Sequence, residues 1–441
     1  MFGLFAPKCP LGTRDKAWVE RRMLWLADRF GLDRLRDAAV VTPTDDFFPD
    51  RYTPDEDGLE VTSGRVCRHM GVDPRAVQFA VAEDEQLPDA AGVYFQGDRS
   101  VIYIARRQLA DPMGLIATVA HELAHELLLK GGHLTTDTAD HEQVTDLLPV
   151  FLGVGIFGAN ATVRTRAWRS GDWEFFSASK QGYLSALQLG YALAVFAHLR
   201  GEHRPRWVKH LRPDAGVTMK AALDYLRKTN DCLFHPTATA RRGTPAELVA
   251  ELADPSPTVR LNALWDAQEF AGKPAALLAA VEPCLKDKDA DVRREAVRAV
   301  GGFGVAAGRL VPVLTDAMFH AADDEVRVGA AVALGRMGLD DPANVVPALL
   351  SAVAADHPAL VAAAAGSLVP FGEKAAGGEA KLLAALEAAG HRDDGPRVGH
   401  LIAALLAAVP DAAAKIKASV STGDPELRRV VLGELVRQTR A

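Results

Sequence analysis

The feature that most restricts the fold is a repeat of 33 to 34 residues in the second part of the chain. Asp254–Pro255–Ser256–Pro257–Thr258–Val259–Arg260 aligns with Asp287–Lys288–Asp289–Ala290–Asp291–Val292–Arg293, and Asp323–Asp324–Glu325–Val326–Arg327 follows. Val259 to Val292 is 33 residues, Val292 to Val326 is 34, and a further 34 reaches Leu360 in Asp356–His357–Pro358–Ala359–Leu360–Val361. Weaker copies stand at Pro396–Arg397–Val398 and at Asp424–Pro425–Glu426–Leu427–Arg428. The fourth copy has Val361 where the others have Arg, and the fifth reverses the order to Arg397–Val398. Each copy opens a stretch with apolar residues at helical spacing, such as Ala296, Val297, Val300 and Phe303. A second helical stretch follows in the clearer copies, at Leu310–Phe319 and Val345–Val353. Acidic residues before most opening helices suit the positive end of a helix. A two-helix unit this short buries its apolar face only against a neighbouring copy.

Residues 245–441 therefore resemble a HEAT-type α-solenoid of five to six helix pairs. They carry 26 acidic and 20 basic side chains, whereas the rest of the chain carries 31 and 30. A solenoid that clamps nucleic acid needs a basic stripe. This composition predicts a protein or peptide partner, with no nucleic acid. The segment Pro236–Pro245, rich in Thr, Ala and Arg, reads as a linker, giving a first domain over 1–240 and the solenoid over 245–441.

At 441 residues the chain exceeds one compact core. No apolar run reaches the roughly 20 residues of a membrane helix, so no membrane association is expected. The first eight residues lack the charged and apolar regions of a secretory signal. Cys9, Cys67, Cys232 and Cys284 form no close pairs, which points to a reducing compartment and a cytoplasmic location.

The first domain reads as α+β. Trp18–Phe30 has the pattern of an amphipathic helix ending at Gly31, and Val93–Gln96 with Val101–Ile104 reads as a hairpin through Gly97–Asp98. Leu115–Lys130 reads as a long helix closed by Gly131–Gly132. It contains His121–Glu122–Leu123–Ala124–His125. Histidines four apart share a helical face, so both imidazoles reach one metal ion, and Glu122 beside them takes a proton from water. A hydrolytic zinc site needs a third protein ligand and an open fourth position. Seventeen residues beyond His125, Glu142–Gln143–Val144–Thr145–Asp146 puts two carboxylates one helical turn apart. This spacing lets Glu142 bind the metal while Asp146 accepts a hydrogen bond from the free ring nitrogen of a ligand histidine. The rival third ligand is His141, and the plain alternative for Glu142 and Asp146 is a solvated acidic helix start.

His121, Glu122, His125, Glu142 and Asp146 resemble the HExxH…ExxxD signature of gluzincin metallopeptidases, the thermolysin-like clan. The likeness spans roughly residues 90–160. The metzincin continuation fails, with Leu128 and Gly131 where Gly and His belong, and Thr135–Thr136–Asp137 does not match the aspzincin GTxxD. The resemblance implies a zincin-like fold, one Zn2+ ion held by His121, His125 and Glu142, and Glu122 as general base in peptide-bond hydrolysis. It implies that the run around Val101–Ile104 is the sheet edge above the cleft, pairing with a peptide substrate. It also implies a Tyr or His that hydrogen-bonds the oxyanion, for which Tyr183 is the first choice among Tyr183, Tyr191, His198 and His203. The expected function is thus a zinc metallopeptidase whose solenoid recruits a protein substrate or regulator. The alternatives are a non-catalytic scaffold with an inert zincin domain, and an enzyme held latent by its solenoid.

Three other features read as structural. Pro43–Tyr52 is dense in aromatic and acidic residues and suits packing. Trp168, Trp173 and Trp207 suit a core or interface. Gly153–Val154–Gly155–Ile156–Phe157–Gly158 follows a helix and lacks the Lys-Ser/Thr of a phosphate loop.

Overall fold

A computed structural model of the chain describes all residues except 1–6, 162, 171–172, 181–182, 235–243, 271, 273, 391–394, 422–424 and 441. For 163–170, 173–180, 390, 395 and 440 it describes the backbone alone. The chain divides into two compact units, Met1–Arg241 and Arg242–Ala441. Most of the expected linker lies outside the described residues; at its end the Thr244 side chain caps the first helix of the second unit.

In the first unit, α1 (Thr13–Phe30) stops at Gly31, whose φ of 86° no L side chain adopts readily. Then come α2 (Leu32–Asp37) and α3 (Glu56–Met70), followed by strands β1 (Val77–Ala82), β2 (Gly92–Phe95) and β3 (Ser100–Ala105). The strands form one sheet in the order β1-β3-β2, with β1 parallel to β3 and β2 antiparallel to it. The expected hairpin is the β2–β3 pair, with Tyr94 opposite Ile102 and Phe95 opposite Val101.

The expected edge strand around Val101–Ile104 is a correction: it is β3, at the centre of the sheet. Ile102 and Ile104 are fully buried there, and β1 supplies the second neighbour that the hairpin pattern did not reveal. A strand with apolar residues buried this deeply gains most from partners on both sides. The two edges are β1, which packs on α3, and β2, which packs on the next helix.

That helix is α4 (Pro112–His125). Asp111 accepts the Gly114 N–H at its start, and Pro112 occupies the first turn. Leu115, Val119, Ala120, Leu123 and Ala124 are buried, so α4 lies in the core with neighbours on most sides. The helix was expected to run regularly to Lys130; instead it widens into a π turn over Glu126–Lys130 before Gly131. After it come α5 (His141–Phe151), α6 (Gly155–Ala161), an antiparallel pair β4 (Val163–Ser170) and β5 (Trp173–Lys180), α7 (Ala186–Leu199) and α8 (Pro213–Thr229).

Gly153, with a φ of 83°, makes the turn between α5 and α6, where a Cβ would lie 2.3 Å from the Ala39 carbonyl oxygen. The glycine-rich run is thus a close-packed turn at Gly153 followed by the first residues of α6. Phe47 and Phe48 pack on the core and on His69, and Trp207 is buried with its indole N–H donated to Glu202. The side chains of Trp168 and Trp173 lie outside the described residues.

The second unit is all helical: α9 (Pro245–Glu251), α10 (Pro257–Glu269), α11 (Ala275–Val281), α12 (Ala290–Gly302), α13 (Val311–His320), α14 (Asp324–Met337), α15 (Pro342–Ala352), α16 (Pro358–Leu368), α17 (Glu379–Gly390), α18 (Gly395–Ala408), α19 (Ala412–Ser419) and α20 (Pro425–Arg440). The helices that open the copies, α10, α12, α14, α16, α18 and α20, stack on one another in sequence.

The repeated residues explain the stacking. Asp289 and Asp323 accept backbone N–H groups at the starts of α12 and α14, and Val292 and Val326 are buried. Arg260 reaches Asp287 of the next copy through two bonds of 2.7 and 2.8 Å. In the next copy the aligned Arg293 bonds the Asp287 carbonyl of its own copy, and its neighbour Arg294 makes the link onward, reaching Asp323 at 2.8 Å. In the irregular fourth copy, His357 takes over the cap of α16 and faces Asp324 of the copy before at 3.2 Å.

Candidate metal centre

Helical spacing places His121 and His125 one turn apart on α4, with ring centroids 5.0 Å apart and planes at 89°. From α5, Glu142 brings Oε2 to 3.3 Å from His121 Nε2 and 3.6 Å from His125 Nε2. One ligand atom from each of the three lies within 4.8 Å of the other two. Tetrahedral ligands at zinc bond lengths stand about 3.4 Å apart, so the spacing suits a zinc ion held by two imidazoles and a carboxylate. Glu142 Oε2 is buried and makes no hydrogen bond within the protein, as expected of a ligand atom aimed at an ion.

Asp146, one turn after Glu142, acts as a bridge. Its Oδ1 lies 2.8 Å from His121 Nδ1. Its Oδ2 accepts the backbone N–H groups of Tyr183 and Leu184 at 2.5 and 3.0 Å. The bond to Nδ1 turns Nε2 of His121 toward Glu142. The same carboxylate anchors Tyr183 just before α7, with its ring stacked on His121 at 6.1 Å and 18° and its side chain half exposed. Burial, followed by the charges of Glu142, Asp146 and Glu122, pushes the Tyr183 phenol upward. Gly182, before it, lies outside the described residues. The other oxyanion candidates are elsewhere: Tyr191 is buried in α7 and donates to Glu20, His198 lies near the end of α7, and His203 follows the helix.

The electrostatics separate the two histidines. Burial would lower the pKa of His121, but its contacts with Asp146 and Glu142 outweigh that and push it up to about 10. Burial and the neighbouring His121 charge bring His125 down to about 4. Glu122 is buried, and desolvation, opposed by His121 and reinforced by Glu142, raises it to about 7. A carboxyl near neutrality is suited to taking up and returning a proton.

His141, the rival ligand, is near the cluster without joining it. Its Nδ1 sits 2.9 Å from the Thr138 carbonyl, and its Nε2 sits 3.2 Å from Glu142 Oε1, whereas Oε2 is the oxygen that approaches His121 and His125.

Two sets of residues around the site were not singled out in the sequence. The first is on β2, where a Cβ on Gly92 would come within 2.9 Å of Glu122 Oε1, and Tyr94 stacks on His125. A glycine and a tyrosine two apart in a strand share a face, which is the signal that was available. The second is Asp140 at the start of α5. It accepts two bonds from Arg22 at 2.7 and 2.6 Å and the Trp18 indole N–H at 2.8 Å. Nothing in the sequence pairs residues about 120 positions apart.

The sequence profile for HEAT repeats matches residues 245–310, within the second unit. No curated protein matches the chain in a sequence search. Among the described residues, no helix is long and apolar enough to cross a membrane. The second unit is thus a HEAT-repeat array over at least its first copies, of a kind that commonly mediates protein interactions.

Proposed function

We propose that the first unit is a zinc-dependent peptidase of gluzincin type and that the HEAT array recruits its protein substrate or a regulator. The observation that carries this reading is the convergence of His121, His125 and Glu142, with Asp146 on the outer nitrogen of His121. Two imidazoles and one carboxylate favour zinc over harder ions. When bound, the ion polarises a carbonyl and acidifies water.

The rest is the work of the chain. Glu122 accepts a proton from the attacking water as its oxygen bonds to the scissile carbonyl carbon. The same carboxyl returns that proton to the amine nitrogen as the C–N bond breaks. Tyr183 presents its phenol beside His121, suited to donating to the oxyanion. The free edge of β2, with Gly92 against Glu122, offers backbone groups to an extended peptide.

The HEAT match favours a second reading, a binding scaffold whose first unit is inert or latent. Metal content and turnover separate the two. We expect about one zinc ion per chain, largely lost in Glu142→Ala, by elemental mass spectrometry. Glu122→Gln should keep the zinc and lose on the order of 10²–10⁴-fold in peptide hydrolysis. A wild-type protein that takes up no zinc would refute the peptidase reading and leave the scaffold.

A further inference from the structure

The two histidines of the site are oriented by different means. His121 has a carboxylate on its outer nitrogen, but His125 Nδ1 is buried with no hydrogen-bond partner. An imidazole without that bond is free to rotate about its χ2 and misdirect Nε2. The ring of Tyr94 lies against it instead, stacked at 6.0 Å and 23°.

Tyr94 is itself held at its far end. Its hydroxyl donates to Glu126 Oε2 at 2.7 Å and lies 3.2 Å from Ser100 Oγ. Glu126 is buried and follows His125 directly, as the first residue of the π turn. Its other oxygen takes Lys130 Nζ at 3.0 Å, and that ammonium also donates to Ser100 Oγ and the Asp98 carbonyl. The phenol is thus tied to both the helix end and the neighbouring strand.

We infer that Tyr94 is a positioning residue that fixes the His125 imidazole for metal binding, in place of the hydrogen bond this histidine lacks. Tyr94 does not touch the reacting atoms; it acts through His125. The inference rests on the proposed metal site, and the experiment separates the failure of each.

Zinc affinity is measured by competition with a chromophoric chelator for wild type, Tyr94→Phe, Tyr94→Leu and Phe79→Leu. Phe79, on β1, packs partly buried on the same core and serves as a control for loss of sheet stability. Tyr94→Leu should weaken zinc binding 10- to 100-fold, the range for losing a residue that orients a ligand. Tyr94→Phe keeps the ring, loses its anchor and should fall between the leucine variant and wild type. Phe79→Leu should change zinc affinity less than threefold. In the metal-free protein, Tyr94→Leu should also move the ring resonances of His125 more than those of His121.

A folded Tyr94→Leu protein with zinc affinity within threefold of wild type overturns the inference and spares the peptidase reading. Equal losses in Phe79→Leu at matched thermal stability overturn it as well, because the effect would then be general softening. A wild-type protein that binds no zinc removes the site and the inference together.

Discussion

The proposed hydrolysis needs Glu122 as a base near neutral pH while it is buried beside a second carboxylate, and that conflict has a measurable cost. In the metal-free protein its pKa rises from 4.5 to about 7. The folded state therefore holds this proton more tightly than the unfolded chain. The stabilisation is complete below about pH 4.5 and is lost as pH rises through about 7. Glu122→Gln never ionises, so its stability advantage over wild type should grow across that window and level off above it. At about 1.4 kcal/mol per pKa unit the upper limit is about 3 kcal/mol. Chemical denaturation of both metal-free proteins at pH 5 and pH 8.5 measures it; an advantage that shrinks with pH would show that Glu122 is not desolvated as described. His121 gives a complementary signal. A histidine held at about 10 must release its proton when a metal takes Nε2 or when Asp146 alone keeps Nδ1–H. Titration calorimetry at pH 7 in buffers of different ionisation enthalpy should therefore show net proton release on zinc binding. At this scale the sequence was legible wherever chemistry follows from spacing along one helix. His121 and His125 lie one turn apart, as do Glu142 and Asp146, so periodicity groups each pair, while joining the two pairs rested on the gluzincin resemblance. Gly92 and Tyr94 were not legible as site residues. Their spacing puts them on one face of a strand, but their contacts with Glu122 and His125 depend on how that strand docks on a helix some 30 residues later, which the spacing does not encode.

At the scale of elements, α5 carries Glu142 and Asp146, and its start is held from outside the site. Arg22 and Trp18 on α1 both bond Asp140, immediately before the helix. Asp140 is held below the usual carboxylate range: burial works against this, and Arg22 and Trp18 outweigh it. Both partners of the Arg22–Asp140 pair are about four-fifths buried, at 22% side-chain exposure each. Removing one partner from such a pair leaves a charge short of hydrogen bonds, typically worth about 1–3 kcal/mol. Arg22→Ala should lower stability by that amount and also weaken zinc binding, because α5 loses the tie that fixes where Glu142 enters. Denaturant midpoints and chelator competition on the same variant test it, and unchanged zinc affinity would show that α5 is positioned by its apolar packing alone. The hairpin and the α4 core were legible at this scale, since alternation and turn residues are local signals. The central place of β3 was not. It depends on a parallel partner, β1, and parallel pairing links strands through a crossover whose partner choice leaves no mark in either strand. The π turn after His125 was also hidden, because Glu126–Lys130 reads like any helical turn.

Over the whole molecule, two kinds of sequence information built two kinds of unit. The repeat marks its own periods, so the acidic start of an opening helix and the apolar residue after it could be read wherever they recur, whereas the arginines that reach the next copy, Arg260 and Arg294, stand at different positions of their copies. Even the irregular fourth copy follows the same logic, with His357 as cap and as link to Asp324. The first unit has no period, and its order rests on long-range contacts such as Tyr191 and the Leu233 N–H donating to the buried carboxylate of Glu20. All three proposed metal ligands belong to this unit, as do five of the six tryptophans. A ligand that binds a folded unit and not its unfolded chain stabilises it by mass action, about 4 kcal/mol at a thousandfold excess over Kd. Zinc should therefore raise the thermal transition seen by tryptophan fluorescence. The share of the 222 nm circular dichroism contributed by the repeats should melt at the same temperature with zinc or with chelator. Adding EDTA to the zinc-loaded chain should thus pull the fluorescence transition down and leave a second, chelator-insensitive transition in the helical signal. A single transition that shifts as one in both signals would mean that the repeats depend on the first unit for their stability.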